Sequence, residues 1–353
     1  MARDTRRSRE TWVDAVKVLA CVLIVLGHFF QSMVKGNILD STATYIWFNR
    51  TIYYFHVPLL FLCCGYLYQQ GKPVKTVDDW KRNVLKTLVT LGVPFLLFSS
   101  LNWLVKTTVT GSVNAQAVDL LKELFVQPAA PYWYLYTLLF VFLLTPTFTK
   151  PISAFVIVGL ALGAKGVSLL FGGVGIYAAD TLCSYWLWFA VGMLLSYVKA
   201  PKTLRKQKGA QLVGIALLVL FFVGSFAVIA RNVSSGIVGF IFGICGCSAV
   251  VVVAITAKFT DTSRKVVRWM SDYTMPVYLM HTIFTAGMKS VLLKFGVTNA
   301  AIYIVSGLVI SFAGPILVGF ILKKLKWAEF ILYPGKFIKF GSGNEEVSHS
   351  KKA

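Results

Sequence analysis

Residues 12–30 read WVDAVKVLACVLIVLGHFF, an apolar run of the length needed to cross a bilayer core, about 20 residues at 1.5 Å rise each. The run carries Lys17 and His28, and charged or titratable side chains at such depth are costly and most often functional. Eleven positions separate them. That is close to three helical turns, about 20° past register, so both occupy one face, roughly 16 Å apart along the axis. Such a face defines one intramembrane path reaching toward both surfaces.

The rest of the chain repeats the apolar pattern. Of 353 residues, 57% are hydrophobic and 14% charged, and the mean hydropathy of +0.71 lies outside the range of a water-soluble domain. Windows of about 20 apolar residues fall at 12–32, 53–70, 84–106, 132–149, 152–171, 180–198, 210–230, 236–257, 273–294 and 300–322. They predict an all-α polytopic membrane protein of about ten transmembrane helices, the fourth and fifth divided only by Thr149, Lys150 and Pro151.

Cations set the predicted orientation. Arg3, Arg6, Arg7 and Arg9, the stretch Lys72 to Arg82, Lys199 to Lys208, Lys258 to Arg268 and Lys323 to Lys339 all fall on one side, whereas the opposite loops carry scattered cations such as Lys35, Arg50, Lys106, Lys122 and Arg231. The positive-inside rule then gives N-in, C-in. Basic loops on an anionic inner leaflet account for most of the net charge of +21, which makes membrane lipids the partner and leaves no need for nucleic acid.

The first apolar run continues past signal-peptide length without a small-residue cleavage site and reads as a retained helix. All six cysteines, Cys21, Cys63, Cys64, Cys183, Cys245 and Cys247, lie within predicted spans, a pattern of packing residues rather than a disulfide framework or zinc site, so no metal is expected. No repeat of 20–50 residues is visible. The chain divides into a basic N-terminus (1–11), one transmembrane domain (12–325) and a basic, polar tail (326–353). The longest outer connection, about 107–131, spaces Val118, Leu121, Leu124 and Phe125 as a short surface amphipathic helix would, either an interfacial anchor or a roof over a site.

His28, His56 and His281 lie within predicted spans. At 1.5 Å per residue His28 stands roughly 24 Å above the inner edge, level with His56, while His281 and Lys17 form a second polar layer in the inner third. A buried imidazole can take the proton of a hydroxyl, or simply bond a neighbouring helix. Lys17 can pair with Asp14, snorkel to the headgroups, or serve as a point charge for a phosphate or carbonyl oxygen. Thr274, Tyr278, His281 and Thr285 share a face that lines an inner cavity or a helix contact. Tyr132, Trp133, Tyr134 and Tyr136 crowd one end of the fourth span, where an interfacial belt is expected.

Several segments together resemble a known family. Lys17, ten residues and then His28 resemble the Arg-or-Lys to His motif in the first helix of the acyltransferase 3 family of bacterial membrane enzymes. YFHVPLLFLCCGYLY (Tyr54 to Tyr68) resembles the family's second-helix segment, KRNVLKTLVTLGVPFL its basic third-helix start ending in Pro94, PYWYLYTLLFVFLLTP its Trp-containing fourth helix with Trp133, and SDYTMPVYLMHTIF its Tyr-Leu-x-His segment with His281. The pieces are short but occur in the family's order over roughly residues 10–325. Cys64 stands where many relatives have serine, and the fourth helix lacks the paired glutamates of one large branch, so the chain resembles the branch related to fucose 4-O-acetylases.

The resemblance implies a multi-pass enzyme of the bacterial cytoplasmic membrane. It would pass an acyl group, usually acetyl, from acetyl-CoA or another acyl-CoA to a hydroxyl of a glycan or lipid-linked sugar, with the donor a substrate and no cofactor held tightly. His28, Lys17 and His56 are the catalytic candidates; Arg82, Lys86 and His281 the donor-binding ones; Trp133 and Tyr54 the acceptor-binding ones. A polytopic transporter or flippase with a Lys/His pathway is the alternative, against which no inverted halves or paired broken helices are visible. A membrane sensor module is a further rival, but the roughly 30 residues after the tenth span are too few for an attached soluble enzyme domain.

Overall fold

The computed structural model describes residues 9–108 and 119–338, and every regular element among them is helical. In chain order the α-helices are α1 (Thr11–Lys35), α2 (Ala43–Tyr53), α3 (His56–Gln69), α4 (Val77–Thr87), α5 (Val93–Thr108), α6 (Trp133–Leu144), α7 (Pro151–Phe171), α8 (Tyr177–Tyr197), α9 (Ala200–Leu204), α10 (Ala210–Ala230), α11 (Gly236–Thr256), α12 (Asp261–Lys294) and α13 (Ala300–Lys324). Each predicted window lies on this series. Among the described residues eight stretches are long and apolar enough to cross a membrane, α2–α3 and α4–α5 each forming one nearly continuous stretch, Ala43–Gln69 and Val77–Thr108. The other two windows lie on α12, 34 residues long with charged first turns, and on α6, which has only 12 residues. The chain is therefore an all-helical, multi-pass membrane protein.

Chain direction alternates as such a bundle requires. α1 and α12, the first and ninth spans, run parallel: Ser271 donates to Asp14, Cys21 to the Thr274 carbonyl, and His28 meets His281. α3 runs antiparallel to α1, with Tyr66 and Gln70 bonding Glu10. α13 runs antiparallel to α12, joined by Lys323 to the Asp272 carbonyl and by Thr285 to Ser311. Arg9, Arg205, Arg264, Lys323 and Lys336 consequently gather at one end of the bundle, here called the basic end. Arg3, Arg6, Arg7, Val118 and Lys339 lie outside the described residues.

Small residues let the central helices touch. A Cβ on Gly65 of α3 would lie 1.9 Å from the Phe189 carbonyl oxygen of α8, and one on Gly192 of α8 would lie 2.0 Å from that of Leu62. Both backbones occupy the space of a side chain, the close approach on which helix association in lipid depends.

Three departures from the sequence reading shape the site. The second span begins at Ala43 and breaks at Tyr54 and Phe55, where Pro58 has no N–H to offer the Tyr54 carbonyl. The fourth predicted span is helical only over Trp133–Leu144, about 18 Å, half a bilayer, and of the non-helical turn just before it Pro131 and Tyr132 are buried in the protein, the setting in which such backbone is tolerated at membrane depth. Upstream, Glu123 is buried and bonded at 2.9 Å by Lys106, while Leu121 and Phe125 face outward and Leu124 inward. The expected single apolar face of Leu121, Leu124 and Phe125 does not form, because Lys122–Val126 winds as a π-helical turn. Finally, Ala328–Ile331 and Pro334–Lys336 form short 3-10 turns that pack against the bundle, with Leu332 buried, so part of the expected polar tail belongs to the folded body.

Candidate active site

Parallel packing of α1 and α12 keeps their polar faces together and brings two histidines into contact. His28 Nδ1 lies 2.9 Å from His281 Nε2, the two rings meeting edge to edge with centroids 5.2 Å apart and planes 12° from parallel. The neighbouring bonds assign the protons. His281 Nδ1 lies 3.0 Å from the Val277 carbonyl and 2.9 Å from that of Tyr278, and carbonyls only accept, so this nitrogen carries the ring proton. In the neutral pair His281 Nε2 must then accept from His28 Nδ1–H, which leaves the lone pair of His28 on Nε2. His281 is completely buried, whereas His28 is partly exposed; His28 is the reachable base of the pair.

This corrects the two-layer arrangement read from sequence. The count of depth started the ninth helix at residue 273, but α12 begins at Asp261 and its Ser271 already stands level with Asp14, which raises His281 out of the Lys17 layer. His56 is not bonded to His28: its Nδ1 donates to the Ile52 carbonyl at 2.5 Å, and its ring meets Tyr53 edge-on at 4.6 Å. Tyr53 in turn packs on Gly27, so one aromatic ring separates His56 from α1.

Lys17 faces a cavity of about 630 Å³ at the basic end, lined also by Arg9, Asp14, Thr274, Lys323 and Tyr333. A neighbouring cavity of about 930 Å³ shares Arg9 and Glu10 with it and is bordered by Arg205, Lys206, Lys208, Lys258 and Arg264. The expected Asp14–Lys17 pair does not form. Arg9 holds Asp14 at 2.5 and 3.0 Å and Ser271 donates to it at 2.7 Å, so Lys17 has no hydrogen-bond or ion-pair partner among the described residues and its charge is left to the cavity. Partial burial works against the Arg9 charge, but its bonds to Asp14 and Asp272 outweigh that and hold its pKa above the ordinary value. Opposite, Pro276 has no N–H for the Asp272 carbonyl one turn earlier, and Lys323 Nζ and the Tyr333 hydroxyl donate to that oxygen instead, each at 3.0 Å. A proline within α12 thereby anchors two cavity residues.

The cavity reaches Thr274 and Met275, two turns short of His281, about 10 Å of helical rise. The interval is filled by Cys21, whose Sγ lies 3.6 Å from the Thr274 carbonyl, by Tyr278, which donates to the Pro131 carbonyl, and by Tyr134, whose hydroxyl lies 3.2 Å from Cys64 Sγ. The Tyr132 hydroxyl donates to the Leu279 carbonyl at 2.9 Å, so the start of α6 sits at the depth of the histidines. Of the predicted face on α12, Thr274 alone lines the cavity; Tyr278, His281 and Thr285 make interhelical bonds.

Other candidates fall elsewhere. Arg82 stands 4.0 Å from Asp79, Lys86 is exposed, and neither lines the two cavities. Trp133 packs on Tyr185 with ring centroids 5.1 Å apart, and Tyr54 stacks on Phe242 at 5.4 Å. Tyr132, Tyr134 and Tyr136 are buried rather than set in an interfacial belt, because α6 begins inside the bundle. Sequence reading missed Arg9, Ser271, Lys323 and Tyr333 as cavity residues; the one local signal was Pro276 and the carbonyl it must leave free.

Comparison with known proteins agrees with this architecture. The family pattern described as an acyltransferase domain matches residues 10–320. Among curated proteins, the nodulation protein NolL of Sinorhizobium fredii is 32% identical over 144 residues, 40% of this chain and 37% of that protein. NolL of Mesorhizobium japonicum is 24% identical over 143 residues, 40% of this chain and 36% of that protein. The matched stretch thus spans little more than a third of each relative. No solved structure matches. With the matched pattern running from Glu10 into α13 and taking in both histidine-bearing helices, this multi-pass membrane protein belongs to the acyltransferase 3 family.

Proposed function

We propose that the protein transfers an acetyl group from cytoplasmic acetyl-CoA to a hydroxyl of a glycan or lipid-linked sugar, in a bacterial cytoplasmic membrane with the basic end inward. The observation that carries this reading is the free lone pair on His28 Nε2, held by the bond from Nδ1 to His281 at 2.9 Å and set above a cation-lined cavity. Lys17, Arg9, Lys323 and Lys336 give the donor phosphates a positive destination. Lys17 lies eleven residues below His28, about 16 Å of rise, which suits it to the phosphate end of the donor and not to the thioester. Between this cavity and His28 the Tyr134 ring packs on that of Tyr278, centroids 5.7 Å apart, beside Cys64 and Cys21, and these side chains must part for the acyl arm to reach His28.

In the transfer step His28 Nε2 takes the proton of the acceptor hydroxyl as its oxygen attacks the thioester carbonyl. The C–O bond forms, the C–S bond breaks, and the imidazolium returns the proton to the departing thiolate, giving ester and free CoA. His281 acts as a positioning residue that keeps the lone pair on Nε2, as the partner of a catalytic histidine does in other acyl transfers. Purified protein given labelled acetyl-CoA should release CoA at a rate that His28→Ala lowers to background. Release that survives His28→Ala would defeat the assignment, and an acyl group trapped on His28 in quenched single turnovers would replace direct attack by a two-step route.

A further inference from the structure

Beyond His28, away from the basic end, α1 and α2 bring polar side chains together. α1 and α2 pack antiparallel in a regular register: a Cβ on Gly27 would lie 3.1 Å from Ile52 and 3.2 Å from Tyr53, Phe30 meets Phe48 with ring centroids 6.0 Å apart, and Gln31 Nε2 donates to Asn49 Oδ1 at 3.0 Å. The same register sets Lys35 level with Tyr45. Gln31 lies three residues beyond His28 and Lys35 one turn further, so these side chains follow one side of α1. His28, Gln31 and Asn49 are partly exposed, and Tyr53, at 38%, and Lys35 are open.

One amide pair suffices to join two helices in lipid, but this one keeps hydrogen-bonding capacity after its mutual bond. Gln31 spends an amide proton on that bond and retains its carbonyl oxygen as an acceptor, its side chain lies against the Tyr53 hydroxyl, and Asn49 retains both amide protons, which have no partner among the described residues. A donor and an acceptor side by side complement a hydroxyl, which both gives and takes a hydrogen bond. Polar groups of this kind, partly buried next to a base, are what a substrate with several hydroxyls requires.

We infer that Gln31, Asn49 and Tyr53 form the acceptor site and that it takes a carbohydrate, the amide pair holding a hydroxyl adjacent to the one His28 deprotonates. The inference rests on the transferase reading above. The test uses purified full-length protein with acetyl-CoA and a panel of methyl glycosides of glucose, galactose and fucose, following CoA release. At least one glycoside should raise wild-type release. Gln31→Leu and Asn49→Leu should each raise the half-saturating glycoside concentration about tenfold, the size expected for one lost hydrogen bond to a substrate, while half-saturation by acetyl-CoA moves less than about twofold. A purely structural amide pair would instead lower the thermal midpoint and weaken both substrates together. That outcome, an unchanged glycoside dependence, or wild-type release that no glycoside raises would each overturn the site. Release that is absent from wild type, or independent of His28, would mark failure of the transferase reading itself.

Discussion

Replacing His281 with phenylalanine keeps a ring at that position and removes the acceptor that fixes the His28 Nδ1 proton at 2.9 Å. His28 is then left with an N–H that has lost its partner in a lipid-shielded site, a state that costs about 1–3 kcal/mol. The ring escapes by turning or by moving its proton to Nε2, and either withdraws the lone pair from the reacting hydroxyl. At about 1.4 kcal/mol per factor of ten, kcat should fall by about 5- to 150-fold. Half-saturation by acetyl-CoA should stay within about twofold, because the Lys17 cavity ends two turns away at Thr274 and Met275. His281→Gln provides the contrast, since its amide oxygen can accept from Nδ1–H; it should recover most of the loss. Rapid-quench CoA release over a range of acetyl-CoA separates kcat from half-saturation, and nitrogen NMR of labelled histidine reads the tautomer. A His281→Phe protein with more than half the wild-type kcat, or a Gln variant no better than Phe, would refute the positioning argument.

Lys17→Ala should raise half-saturation by acetyl-CoA about tenfold with a smaller change in kcat, whereas Arg82→Ala with Lys86→Ala should change it less than about twofold; initial rates against donor concentration check both. Pro276→Ala supplies an N–H to the Asp272 carbonyl and competes with Lys323 and Tyr333. Donor half-saturation should rise about threefold with little change in thermal midpoint, and an unaltered donor dependence would show that the freed carbonyl does not organise the cavity. Gly192→Ala forces a methyl to 2.0 Å from the Leu62 carbonyl oxygen, backbone that cannot step aside. It should destabilise the α3–α8 contact by about 2 kcal/mol or more, read as a lower unfolding midpoint in detergent.

Much of the fold was legible because apolar run length and cation placement act locally. Each predicted window lies on a helix, and the cations assigned to one side gather at one end through Arg9, Arg205, Arg264 and Lys323. Lys17 and His28 share α1 and were readable as a pair from spacing alone. The partner of His28 was not, since it depends on how far α12 extends beyond its apolar part, and the charged turns from Asp261 carry no hydropathy signal. Asp14 met Arg9 and Ser271 rather than Lys17 for a related reason: a contact between residues 257 apart outweighs one along the helix. The shortness of α6 was hidden because its apolar composition runs on through Thr145 and Pro146 while the backbone does not. The tyrosines that read as a membrane belt were therefore core residues.

On the proposed mechanism His28, held by His281, performs acyl transfer from a donor bound at the basic end. A single-turnover experiment with purified protein and acetyl-labelled CoA, comparing wild type with His28→Ala at matched folding, tests it most directly. CoA release and label transfer are expected in the wild type and neither above background in the variant. Equal release from both proteins would contradict it.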